Sequence, residues 1–209
     1  MPSGSQRIEI TEPRLFTSRA VAIVNAYGLV MCLPTFSAIL VVSVIKLSAL
    51  TALIPLLALA GTAFFLPFGL GNTHLARLVR SLHPGAGQDK DGFIVQLTVS
   101  PRLRSGLRAF LEDADDIGYL TFSPSGLSFQ GDSVRLTVPW EDIRLLQPRN
   151  IGWRGLFVYG RRIRLMVPAW PEVGWLEFAE RSSWVLPASR ATTRRLYARL
   201  SAGASPSPE

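Results

Sequence analysis

The sequence predicts an α+β protein: a two-helix transmembrane hairpin followed by a small bent β-sheet or barrel with a C-terminal capping helix. Three observations carry this reading. Apolar residues crowd into residues 20–71. Beyond residue 92 the periodicity changes from helical to alternating. Near the end, Thr193, Leu196, Tyr197 and Leu200 fall at helical spacing opposite Arg190, Arg194, Arg195 and Arg199. A chain of 209 residues has room for one ordinary domain and an additional segment.

The elements follow in order. Residues 1–19, with Arg7, Arg14 and Arg19, read as a cytoplasmic leader. Segments 20–45 and 47–69 each supply the roughly 20 helical residues that a hydrocarbon core of about 30 Å requires. Lys46 is the one charged residue between Arg19 and Arg77. At a bilayer centre it would cost about 2.5–3.5 kcal/mol, whereas a turn at 46–48 lets the ammonium reach the headgroup layer. Arginines flank the pair on both outer sides, so the positive-inside bias sets both termini in the cytoplasm, making a multi-pass protein of the inner membrane. A signal peptide fits less well, because a second apolar segment follows at once. Asn25 reads as an interhelical hydrogen-bonding group beside Ala22, Ala26, Ala58 and Gly61, with no intramembrane Asp, Glu or Arg to make a transport site.

Residues 72–92 read as a juxtamembrane linker ending in the turn-rich "HPGAGQDKDG". The cytoplasmic domain spans 93–201. "FIVQLTV" sets Phe93, Val95, Leu97 and Val99 on one face of a half-buried strand. "GYLTFSPSGLSFQGDSVRLTVPW" holds three strands broken by Ser-Pro-Ser-Gly and Gly-Asp-Ser turns, and in the third Val134, Leu136 and Val138 alternate with Arg135 and Thr137. "GWRGLFVYG" with "RRIRLMVP", and "WLEFAE" with "SSWVLP", read as two further strand pairs. The helix "ASRATTRRLYARL" closes the domain, and residues 202–209 form a disordered tail. About seven antiparallel strands and one helix make a bent sheet or open barrel plugged by that helix.

The stretch 118–168 carries "SGLSF", "VPWEDI", "LFVYG" and "MVP". In these pieces it resembles bacterial pleckstrin-homology-like modules of the YcxB type, which are similar to GRAM domains. The resemblance implies a PH-like fold preceded by two transmembrane helices, and a topology more than an activity. The corner "PWEDI" has a physical reading of its own: Trp140 and Ile143 bury themselves while Glu141 and Asp142 stay in water.

The residue inventory narrows the chemistry. A single cysteine, Cys32, permits no intrachain disulfide and no cysteine-based zinc site. The two histidines, His74 and His83, precede the sheet, which removes most catalytic triads; no cofactor is expected. The acidic run Glu112, Asp113, Asp115 and Asp116 is a weak alternative as a Mg²⁺ or Ca²⁺ site of a membrane-bound enzyme, since it lacks the spacing of a calcium loop. A solvated turn, neutralised by Arg102, Arg104 and Arg108, explains it better. Arg149, Trp153, Arg154, Arg161, Arg162 and Arg164 form the other candidate, a surface for anionic lipid headgroups or a membrane-protein partner. Each basic group near an anionic leaflet is worth about 1 kcal/mol. An arginine-rich edge that blunts sheet pairing is the competing reading. Nucleic acid is set aside because a domain tethered under a membrane meets lipid first. The net charge of +7 suits an anionic surface. The expected function is thus an integral membrane protein with a cytoplasmic PH-like binding or scaffold module, the third alternative being a small subunit of a membrane complex.

Overall fold

A computed structural model describes residues 8–17, 71–86, 91–99, 114–149, 162–171 and 173–204, with isolated helical positions at 19, 20, 23, 37, 41 and 53. Its centre is an eight-stranded antiparallel sheet: β1 (Ile8–Ile10), β2 (Phe93–Val99), β3 (Asp116–Ser123), β4 (Gly126–Gly131), β5 (Val134–Pro139), β6 (Leu145–Arg149), β7 (Arg162–Met166) and β8 (Trp175–Glu180). The strand order is β1-β5-β4-β3-β2-β8-β7-β6. Two helices pack against it: α1, residues 71–82, and α2 (Leu186–Ala204).

The sheet curls because its alternate residues bury on one side. Val95 and Leu97, Leu120, Leu127 and Phe129, Leu136 and Val138, Ile163 and Leu165, and Leu176 and Phe178 form one cluster from six strands. Leu196 and Leu200 of α2 are fully buried in the same cluster, so the helix plugs the curl along its apolar stripe. Fully burying a leucine is worth roughly 1.5–3 kcal/mol, which makes these two positions the anchor of α2. Arg190, Arg194, Arg195 and Arg199 lie on its exposed side.

The strand expected at 93–99 is present, but it is buried on both faces rather than half-buried. Its second face meets α1: Leu75, Ala76 and Val79 pack with Ile94, Ile117 and Phe16 in a separate cluster. Part of the expected linker is therefore structural. A buried polar joint ties the pieces together. Asn72 donates to the Ser183 carbonyl at 2.7 Å, and Arg181 donates from Nε to Gln96 Oε1 at 2.9 Å. Glu180 Oε1 accepts from the backbone N–H and hydroxyl of both Ser182 and Ser183, at 2.6–2.8 Å.

The pairings correct two sequence expectations. β7 pairs with β6 and β8, and "GWRGLFVYG", its expected partner, lies outside the described residues. Pro148 sits in β6, the edge strand among the described residues, the kind of position where a sheet admits proline. β8 pairs with β2 and β7, while "SSWVLP" leads into α2 instead of forming a strand. β1 lies in the stretch read as a leader and pairs with β5.

The membrane architecture is also corrected. Among the described residues no helix is long and apolar enough to cross a membrane. The described part of α1, residues 71–82, carries Asn72, Arg77 and Arg80. α2 has 19 residues, yet its four arginines forbid a hydrocarbon setting. Apart from isolated positions, segments 20–45 and 47–69 lie outside the described residues. The transmembrane hairpin, the integral two-span membrane association, the multi-pass inner-membrane localisation and the integral-membrane function are not supported. What stands is a curled antiparallel sheet with two packed helices.

Candidate functional site

The acidic run is divided by the structure. Glu112 and Asp113 lie outside the described residues. Asp115 continues the β2–β3 ladder: its N–H donates to the Leu97 carbonyl at 2.9 Å and its Oδ2 accepts from Val99 N–H at 2.7 Å. Asp116 is fully buried, not solvated. Its carboxylate accepts from the N–H groups of Ile117 at 2.8 Å, Ser133 at 2.9 Å and Val134 at 2.6 Å. Burial raises its pKa above the ordinary carboxylate value, the three amides oppose this, and neighbouring Asp132 adds a smaller upward push. Asp116 thus pins the β4–β5 turn. Among the described residues no group of three His, Cys, Asp or Glu could hold a metal ion.

The basic candidate is divided too. Trp153, Arg154 and Arg161 lie outside the described residues; Arg149 ends β6. Arg162 and Arg164 share a face of β7, as the alternation requires, and that face meets Glu177 of β8. Arg164 donates to Glu177 Oε1 from Nε at 3.0 Å and Nη2 at 2.7 Å. Arg162 Nη1 is 3.6 Å from Glu177 Oε2 and donates to Thr98 Oγ1 at 3.3 Å. The Arg164 guanidinium also lies 4.5 Å from the centre of the Trp175 ring. Two of the expected phosphate-gripping arginines are held by an internal carboxylate.

A large concavity lies elsewhere, at the end of the curl beside the last turn of α2. It is a groove of about 1360 Å³ bounded by the β3–β4 turn, the corner after β5 and residues 199–204. Phe122, Pro124, Pro139, Trp140 and Ile143 give it apolar walls. Phe122 and Trp140 stack with centroids 6.0 Å apart, and Phe93 meets Phe122 edge-on at 5.8 Å. Trp140 opens a short 3₁₀ turn (Trp140–Asp142), and its indole N–H donates to the Ser123 carbonyl at 2.9 Å, so the ring cannot swing freely. An exposed Arg199–Asp91 ion pair marks the rim, and Glu141 lies on the corner side. The Arg195 guanidinium is 5.9 Å from the Phe93 ring centre, which brings the arginine face of α2 up to the aromatic group.

The burial of Ile143 and exposure of Glu141 follow the sequence reading of "PWEDI", but Trp140 is half-exposed and lines the groove. Phe122, Pro124 and Arg199 escaped notice as site residues. The available signal was the Ser-Pro-Ser-Gly turn beside "VPW" and an arginine-rich helix face, but nothing in the sequence says that these meet.

Gly203 lets α2 approach the tryptophan: a Cβ there would lie 2.5 Å from Trp140 Cε2. Gly203→Ala is expected to destabilise the fold although alanine is the better helix former. Overpacking costs about 1–3 kcal/mol, against a helix-propensity gain of at most about 1 kcal/mol. A lowered urea midpoint together with a shifted Trp140 indole resonance is the expected pair of readouts. An unchanged midpoint would show that the ring yields without cost.

No protein-family model matches the chain, and no curated protein matches it either. The YcxB-type resemblance therefore has no family assignment beside it.

Proposed function

We propose that the protein is a recognition module that holds an extended, acidic segment of a partner protein in the groove beside α2. The observation that carries this is the meeting of the stacked Phe122–Trp140 wall with the exposed arginine face of α2. At about 1360 Å³ the groove exceeds the 300–1,000 Å³ usual for small-molecule sites and suits several residues of an extended chain. Proline and aromatic walls favour an extended backbone, which brings little conformational entropy to lose. Arg195 and Arg199 supply the charge that selects acidic side chains on the helix side, while Glu141 disfavours them on the corner side, which fixes the direction of the segment. The Arg199–Asp91 pair does not prevent this. Both side chains are more than half exposed, and such pairs exchange partners at little cost.

The test titrates the full chain with a synthetic Glu/Pro-rich decapeptide and a Lys/Pro-rich counterpart, following the Trp140 indole N–H resonance assigned by Trp140→Phe. The acidic peptide is expected to shift that signal saturably. Arg195→Glu with Arg199→Glu should weaken binding about tenfold or more, each exposed charge contact being worth up to about 1 kcal/mol. An equal response to the basic peptide, or an unchanged affinity in the double variant, would overturn the reading.

A further inference from the structure

A second concavity, independent of the groove, lies on the outer face of β4 and β5 below the end of α1 and has a volume of about 540 Å³. Its lining is polar and comes from three strands and a loop. Glu9, Arg135 and Gln130 stand opposite one another across β1, β5 and β4, and Ser128 and Thr137 form the next cross-strand pair. His83 enters from just past α1, and its Nε2 is buried with no hydrogen-bond partner among the described residues. A buried polar nitrogen without a partner costs free energy, and the residue that carries it lines a pocket large enough for a small ligand.

We propose that this pocket binds a small molecule bearing an oxyanion, either free phosphate or a soluble phosphate monoester. Arg135 supplies the fixed positive charge and makes no ion pair among the described residues. The Gln130 amide and the Ser128 and Thr137 hydroxyls add donors from other directions. That arrangement suits a tetrahedral group with several acceptor oxygens better than a planar carboxylate. The two hydroxyls, 3.5 Å apart, are barely bonded to each other and are available to a ligand. His83, just past the carbonyl end of α1, adds an imidazole to the pocket wall. The charged groups bordering the imidazole in the pocket are Arg135 and Glu9. Glu9 accepts the hydroxyl of a singly protonated phosphate and opposes a dianion.

The chain has two histidines, so His74 serves as an internal control. The full chain is titrated at constant pH and ionic strength with inorganic phosphate in one arm and glycerol 3-phosphate in the other. The imidazole C2–H resonances are followed, with His83→Gln as the assignment. The expected result is a saturable shift of the His83 signal with His74 unmoved, and affinity at least about tenfold weaker in Arg135→Gln, the loss that follows from one charge-assisted hydrogen bond. Arg135 is exposed, so that variant leaves the core intact. Equal affinity in the two arms assigns the free ion, and tighter binding of the ester assigns an organic phosphate. Parallel movement of both histidines, no saturation in either arm, or an Arg135→Gln titration that overlays the parent would each overturn the proposal.

Discussion

Asp116→Ala is expected to cost about 3–5 kcal/mol of folding stability, from the loss of the shared acceptor of three buried N–H groups at roughly 1–3 kcal/mol each, less what relaxation and water recover. Total stability of a domain is about 5–15 kcal/mol, so the variant should lose a large fraction of it. Asp116→Asn should lose less, because one oxygen still serves Ser133 and Val134 while the new amide group opposes Ile117 N–H. The pH dependence has a definite sign. Burial raises the folded-state pKa above 3.8, so the native state holds a proton that the unfolded chain has released. The contribution of this group to stability is fully present below 3.8 and is lost as pH rises through the raised folded value. Urea unfolding of parent and Asp116→Asn across that interval is the check. A parent whose slope against pH equals that of the variant would show that Asp116 does not titrate differently on folding.

Glu177→Ala should be comparably damaging, for the opposite electrostatic reason. It removes the carboxylate that neutralises Arg162, whose side chain is only 5% exposed, and the one that Arg164 grips with two nitrogens. Leaving a buried charge without its counter-ion costs about 3–5 kcal/mol. The double variant Arg162→Met, Glu177→Leu should recover most of that loss, because apolar side chains of similar volume replace buried ion pairs at little or no cost. Urea midpoints of the parent, single and double variants give the answer. A double variant as unstable as the single one would mean that these groups contribute specific hydrogen bonds rather than charge balance. Recovery would also confirm that Arg162 serves the interior and is not held ready for an external anion.

The difference between what the sequence discloses and what it conceals has physical causes. Alternation reveals β2, β5 and β8, because each sets its apolar residues on the face that closes the core. The stripe Leu196 and Leu200 reveals α2 for the same reason. β6 was not recognisable: "LLQPR" has no alternation and contains a proline, which suits a strand with one neighbour among the described residues. β1 is three residues long and exists through its pairing with a strand more than a hundred residues away. The arginines of β7 advertise charge without showing Glu177, which lies thirteen residues beyond Arg164 and meets it through sheet register. The groove was illegible because it gathers residue 91, residues 122–125, residues 137–143 and residues 199–204, four stretches that only the curl of the sheet brings together. High apolar density argued for a lipid-spanning pair, and no helix among the described residues bears that out.

The attachment of the first strand bears on how the molecule is made. The Leu15 and Phe16 N–H groups are gripped by Asp132 Oδ2 at 2.7 and 2.8 Å, across 117 and 116 positions. At about 5–20 residues per second the ribosome needs roughly 6–23 s to deliver that carboxylate after Leu15 has been made. Throughout that interval Ile8–Ile10 lacks β5, the strand it pairs with. The strand's attachment is consequently completed well after its own synthesis, and nascent-chain chaperones can act on it in between.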